Sequence, residues 1–366
     1  MTEWKVSKEA AQLHEDAHVW DMTLPWGSQH DLENKHGTLE RAAAHGYTLA
    51  SLTLAGDWQG MTGAIESIAR ERAYFLGNPD KFLLVNRFAD VEAAKRDGKL
   101  AIVFHFQGTG PVESNLDMVE TYHALGIRHM LMAYNCKNLV GDGCTERTDD
   151  GLSRFGVALI EEMNRVGMIV DATHTGYRTT MDMFEVSKDP VIFSHSNPAA
   201  LWDIPRNIKD DQIKACAKSG GVVCVNGVDI FLGMEDDLIG MMVKHMAYVA
   251  ELVGPEHVGI GTDYVADKRG ERGEFEQRPG TLPDPSTPAR FVTQAERFNP
   301  MDVHLSAYLK ASGGKTMGPH WDDCYYLGPR DFPELTERLL ENGFSEAEVR
   351  GILGENIMRV AKQVWK

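Results

Sequence analysis

Three short stretches in this 366-residue chain end an apolar run on residues that can do chemistry. They read Asp171-Ala172-Thr173-His174, Phe193-Ser194-His195-Ser196-Asn197 and Gly261-Thr262-Asp263-Tyr264. Neutral imidazole is the commonest zinc ligand, and an aspartate beside an activated water can take its proton. A lone histidine at a strand end is more often a hydrogen-bonded structural residue. Two histidines and an aspartate at matching depth on three strands favour a metal centre instead. A fourth stretch, Phe104-His105-Phe106-Gln107-Gly108, alternates so that His105 and Gln107 share one face. Either can reach a metal from there, although a neutral amide is a poor zinc ligand. Finally, Ile204-Pro205-Arg206-Asn207 offers an arginine suited to bidentate grip of a carboxylate, with a surface salt bridge as the plain alternative.

These residues need elements that bring them to one place. Eight short apolar or β-branched runs recur, at 19–24, 48–55, 101–107, 129–134, 168–173, 190–196, 221–226 and 257–264. Stretches of helical period follow, such as 153–165 and 210–218. Alternation of this kind builds parallel strands with crossover helices, and eight repeats favour closure into a (β/α)8 barrel of the TIM type. In such a barrel catalytic groups gather at the C-terminal strand ends, where the chemical residues of this chain fall. No Gly-x-Gly-x-x-Gly follows the first strand, which argues against a dinucleotide-binding fold. The expectation is one domain over 1–366, α/β in class. A long Gly/Pro/Arg/Glu-rich insertion lies at about 265–325 after the eighth strand, and closing helices lie within 333–363, the second capped by Ser345.

Composition narrows the partners. With 37 Lys+Arg against 54 Asp+Glu the formal charge is -17, which argues against nucleic acid and anionic membranes. No apolar run approaches the ~20 residues that span a bilayer, and Met1-Thr2-Glu3-Trp4-Lys5 opens a polar stretch with no signal-peptide core. A cytoplasmic protein acting on a small molecule is the simplest expectation, and a homodimer is a common state for such barrels. The five cysteines lack CxxC spacing; Cys216 and Cys224 read as buried small hydrophobes.

Taken in order, several motifs resemble the membrane (renal) dipeptidase family of zinc metallopeptidases, within the amidohydrolase superfamily. They are Leu125-Gly126-Ile127-Arg128, Leu152-Ser153-Arg154-Phe155-Gly156, Asn164-Arg165-Val166-Gly167, Asp171-Ala172-Thr173-His174 and Pro190-Val191-Ile192-Phe193-Ser194-His195-Ser196-Asn197. Pro205-Arg206-Asn207, Gly259-Ile260-Gly261-Thr262-Asp263-Tyr264 and Leu353-Gly354-Glu355-Asn356 complete the set. The resemblance implies a metal-dependent hydrolase barrel that cleaves dipeptides with two zinc ions. It gives His174 and His195 as histidine ligands of one metal and Asp263 as the aspartate that handles the proton of water. Arg206, with Asn207 beside it, takes the place of the grip on the substrate carboxylate.

Three positions depart from the family. Its first-strand His-x-Asp has no match in Thr23-Leu24-Pro25, its bridging glutamate corresponds to Gln107, and its carbonyl-polarising histidine corresponds to Tyr134. Losing two ligands and a bridging charge leaves one zinc, weakly held on His174 and His195 with help from Asp263, His105, Gln107 or water. Tyr134 still offers a hydrogen bond to an oxyanion. The expected function is hydrolysis of a dipeptide or related amide with a free carboxylate. Other chemistry on the same scaffold (lactone or non-peptide amide hydrolysis, decarboxylation) and a silent carboxylate-binding protein are the alternatives.

Overall fold

The first apolar run forms β1 (Trp20–Pro25), preceded by α1 (Lys8–Asp16), where the Ser7 side chain caps the helix by accepting the Ala10 N–H. This computed structural model describes residues 4–26, 32–233, 235–265 and 325–365. After β1 come α2 (Leu32–Ala44), β2 (Leu49–Gly56), α3 (Met61–Gly77), β3 (Phe82–Leu84), α4 (Ala89–Arg96) and β4 (Leu100–Gln107). There follow α5 (Asp117–Ala124), β5 (Ile127–Leu131), α6 (Arg154–Val166), β6 (Ile169–Asp171), α7 (Tyr177–Val186) and β7 (Val191–Ile192). Next are α8 (Asp210–Lys218), β8 (Val223–Val225), a short α9 (Asp229–Leu232), α10 (Leu238–Val253) and β9 (Val258–Ile260). The chain closes with α11 (Phe332–Glu341), α12 (Glu346–Arg350) and α13 (Asn356–Val364).

The strands are parallel and run in the order β1-β2-β4-β5-β6-β7, with β8 paired to β9. Two seams join these parts into a ring. Phe193, just past β7, bridges Val223 of β8, with the Cys224 N–H donating to the Phe193 carbonyl at 2.8 Å. Beyond β9, the Asp263 N–H donates to the Thr23 carbonyl of β1 at 3.0 Å. Asp21 reinforces that second seam: its carboxylate accepts from the Thr262 N–H at 3.0 Å, the Thr262 hydroxyl at 2.5 Å and the Thr23 N–H at 3.1 Å. The eight expected runs are thus the eight strands of a TIM-type α/β barrel. β3 is an addition, a three-residue strand beside the start of β4 that sequence patterning does not reveal.

The crossover helices follow their sequence signals. α6 begins with the Ser153 hydroxyl accepting the Gly156 N–H at 3.0 Å and ends on Gly167 at φ +86°, where a side chain would be strained. Its buried face, Leu159, Ile160, Met163 and Val166, has the helical spacing that lays it on the sheet. Ser345 caps α12 as expected, but the single closing helix divides at a π-type turn, Gly351–Glu355. There Gly354 lies against the His18 carbonyl, which leaves no room for a Cβ. Asn356 follows, and its amide donates to the Pro255 and Val258 carbonyls, both at 2.8 Å, locking α13 to the foot of β9. Cys216 and Cys224 are buried. Of the 265–325 insertion, 266–324 lies outside the described residues, as does Cys324. No helix among the described residues is long and apolar enough to cross a membrane.

Candidate active site

The C-terminal rim of the barrel carries most of the unusual backbone. Four non-glycine residues have positive φ among the described residues, and three of them, Asn135 (+62°), His174 (+68°) and Asp263 (+58°), stand just past β5, β6 and β9. Each such residue costs on the order of 1–3 kcal/mol, and such strain gathers where side-chain aim matters.

His174 and His195 meet there, with their Nε2 atoms 2.9 Å apart. Their outer nitrogens are each held from behind. His174 Nδ1 lies 2.6 Å from Asn135 Oδ1, and His195 Nδ1 lies 2.7 Å from Ser194 Oγ and 3.0 Å from Thr23 Oγ1. Burial, with Arg206 adding to it, holds His195 well below the usual histidine range, so this ring is neutral. Two imidazoles that aim Nε2 at one point, with oxygen acceptors behind Nδ1, have the outer arrangement of metal-binding histidines. The pair therefore fits a single ion as two of its ligands. No group of three or more His, Cys, Asp or Glu poised to hold a metal occurs among the described residues.

Asp263 lies partly exposed at the mouth, with Oδ2 accepting from Asn226 Nδ2 at 3.2 Å. Burial of its carboxyl pushes the pKa up to about 6, against the downward pull of Arg206. Tyr134 stacks on His174, ring centroids 4.2 Å apart, and takes Trp58 edge-on at 5.1 Å. Burial and then Asp263 raise its phenol well above the usual tyrosine range, so the hydroxyl stays protonated.

Arg206 is 2% exposed and lies over the Phe231 ring at 5.5 Å. It donates to the His195 carbonyl at 2.5 Å and the Ser196 hydroxyl at 3.1 Å, while its buried Nε has no partner. Among the described residues no carboxylate comes within ion-pair distance of it, so the plain salt-bridge alternative does not describe this arginine. Asn207 turns the other way, its amide nitrogen donating to the Trp202 and Phe231 carbonyls at 2.8 and 2.9 Å and pinning the loop that carries Arg206.

His105 and Gln107 do share an inward face, on β4, but His105 is not free to turn upward. Its Nδ1 and Nε2 each lie 2.8 Å from a hydroxyl, those of Ser51 and Thr53. Gln107, at the strand end, donates from Nε2 to Thr53 Oγ1 at 3.0 Å. On β1 Thr23 reaches the His195 ring, whereas Asp21 bonds Thr262 and the Tyr47 hydroxyl, and the strand slips register with β2 between Asp21 and Leu24.

Sequence reasoning missed Thr23, Asn135 and Asp57. The Asp57 carboxylate accepts from the N–H groups of Thr109, Gly110 and Tyr134 at 2.8, 2.9 and 2.7 Å, and so aims the loop that carries Tyr134. A polar residue straight after the β2 run was the available signal.

The sequence model of the membrane dipeptidase family (peptidase family M19) matches residues 8–276. An uncharacterised dipeptidase of Schizosaccharomyces pombe is 35% identical over 190 residues, 50% of this chain and 46% of that protein. The match thus spans less than half the length of that relative. Among solved structures, an amidohydrolase from Pseudomonas aeruginosa is 30% identical with TM-score 0.78, covering 97% of this chain and 99% of that one. A metallopeptidase from Rhodobacter sphaeroides, liganded with a phosphinate mimic of L-Ala-D-Ala, shares the fold at 17% identity and TM-score 0.71. That alignment covers 95% of this chain and 99% of that one.

Proposed function

This chain belongs to the membrane dipeptidase family, and from that premise we propose a metal-dependent hydrolase of a dipeptide or related amide with a free carboxylate, using one zinc ion. The observation that carries the reading is the convergence of His174 and His195 through Nε2, with Arg206 bonded to the carbonyl of His195 itself. Reacting centre and carboxylate grip are thereby fixed relative to each other by a single residue.

His174 and His195 would hold the ion; His105 and Gln107 stay bound to hydroxyls below them. The chemistry such an ion supplies is Lewis acidity, which makes water acidic enough to lose a proton near neutral pH. Asp263, with a pKa of about 6, is ionised at pH 7 yet basic enough to take that proton. The protonated Tyr134 phenol donates to the oxygen that gains charge as the amide is attacked. Arg206 grips the carboxylate, and Asn207 serves that grip by holding its loop.

Metal content per chain, measured after purification without added metal or chelator, tests the reading. About one zinc per chain, lost in His174→Ala, is the expected result. Two ions per chain would overturn the single-metal reading. No uptake even from added zinc would favour a carboxylate-binding protein without hydrolase activity.

A further inference from the structure

Below the rim, the barrel interior holds a file of polar groups that the proposed chemistry does not use. It starts at Asp171, whose Oδ2 lies 3.1 Å from His129 Nδ1 and whose Oδ1 accepts the N–H groups of Thr173 and Ser194. It then passes from His129 Nε2 to Ser51 Oγ (2.9 Å), to His105 Nδ1 (2.8 Å), from His105 Nε2 to Thr53 Oγ1 (2.8 Å), and on to Gln107 Nε2 (3.0 Å). The two histidine rings stack at 4.3 Å, and both are fully buried. Four strands contribute: β6, β5, β2 and β4.

With both imidazoles neutral, the chemistry of the members fixes the direction of every bond. The Asp171 carboxylate can only accept, so His129 donates from Nδ1 and turns a lone pair at Nε2 toward Ser51. Ser51 must then donate to His129, and its oxygen accepts from His105 Nδ1–H. His105 is left with a lone pair at Nε2, which takes the Thr53 proton. The Thr53 oxygen accepts in turn from an amide N–H of Gln107. Each hydroxyl donates once and accepts once, and no group is left over. Asp171 is held below the usual carboxylate range: burial alone would raise it, but the hydrogen bonds it accepts, that from His129 first, act the other way. Burial keeps His105 well below the histidine range and therefore neutral. With its nitrogen turned inward, the Gln107 amide has its carbonyl oxygen left over at the mouth. Among the described residues nothing donates to that oxygen, although the side chain is only 4% exposed.

We propose that Asp171, His129, Ser51, His105 and Thr53 are positioning residues that set the Gln107 amide with its oxygen outward, where it accepts an N–H of the ligand's free amine. The inference rests on the dipeptide-like reading above and adds the opposite end of the substrate: Arg206 takes the carboxylate and Gln107 the ammonium. It also explains why a glutamine suits this position. A glutamate there could only accept, so the Thr53 proton would turn to it and His105 would lose the donor at Nε2.

The test has two arms. In the first, protein carrying 15N-histidine is examined by NMR for the tautomers of His105 and His129. Both are expected as the neutral Nδ1–H form. An Nε2–H form at His105, or a doubly protonated His129 at neutral pH, reverses the chain, turns the Gln107 nitrogen outward and overturns the proposal. In the second arm, calorimetry compares a phosphinate mimic of L-Ala-D-Ala, which cannot be hydrolysed, with its des-amino analogue on zinc-supplied protein. Gln107→Met and Thr53→Val should each weaken the dipeptide mimic about tenfold or more while changing the des-amino ligand little; Thr53→Ser should keep wild-type binding. Equal losses for the two ligands overturn the amine assignment. Failure of wild-type protein to bind either ligand sinks the dipeptide reading and the amine assignment together, and the tautomers alone then decide the positioning chain.

Discussion

Replacing Arg206 with methionine separates a binding role from a structural one, because the two predict opposite changes in stability. A buried guanidinium meeting a carboxylate through two charge-assisted bonds contributes on the order of 3–5 kcal/mol to binding. Losing it should weaken a carboxylate-bearing ligand roughly 10²- to 5 × 10³-fold. The free protein loses the bonds to the His195 carbonyl and Ser196 hydroxyl and the contact of the guanidinium with the Phe231 ring. It is also relieved of a buried cation that has no ion pair among the described residues, so stability should stay within about 1 kcal/mol or rise. A third change follows at Asp263, where Arg206 opposes the upward effect of burial on a carboxyl already at about 6. Without Arg206 the carboxyl needs a higher pH to ionise, and the acidic limb of the pH–rate profile should move upward. Calorimetric binding of a non-hydrolysable dipeptide mimic and of its C-terminal amide, beside urea unfolding of both proteins, measures the first two effects. Arg206→Met that loses about 3 kcal/mol of stability while binding the dipeptide as before would refute the clamp and make Arg206 a brace for the His195 loop.

Other consequences can be read from the buried charges. His14, held between Thr336 Oγ1 and the His45 carbonyl, and His245, on the Leu232 carbonyl, are both lowered to about 4, chiefly by burial. A lowered folded-state pKa means that the unfolded chain binds the proton first, so stability present above pH ~6.5 is lost as pH falls toward 4. Each should contribute about 2 kcal/mol of loss between pH 7 and 5. Urea unfolding of wild type and His14→Gln at both pH values should show the slope reduced in the variant, and equal slopes would sink the assignment. Between α2 and α3, Lys35 Nζ lies 2.9 Å from Glu71 Oε1, both side chains being 1% exposed. Lys35→Met should cost about 3 kcal/mol by removing the buried cation and leaving the carboxylate to the half-exposed Arg70 and the Trp26 N–H, and adding Glu71→Leu should recover part of it. A double variant no better than the single one would show that the Trp26 N–H bond to Glu71 matters more than the charge pair.

Much of this architecture is local information. The alternation of short apolar runs with amphipathic stretches specifies strands and helices because side-chain period is set by each residue's own backbone. Chain order and strand polarity then leave a barrel as the natural closure. His174, His195 and Asp263 stood out as candidates because they fall at the ends of apolar runs, where a barrel collects its chemistry, and Arg206 because it sits on a loop that follows one. Ser345 announced its helix for a local reason, since a cap bonds within its own turn.

What the sequence left open depends on neighbours distant along the chain. Thr23 faces His195 across 172 residues, Asp57 reaches Tyr134 across 77, and Ser51 meets His129 across 78. Period two says that Ser51 and Thr53 share a face, but the stagger between strands decides which histidine each one meets. The register slip in β1 between Asp21 and Leu24 likewise arises between strands. The π-type turn before Asn356 lies against the His18 carbonyl, a contact between chain segments far apart in sequence. Residue types therefore determined what this rim can do chemically. Only the tertiary structure decided which nitrogen, oxygen and lone pair face one another, because hydrogen-bond polarity is set by partners and not by sequence spacing.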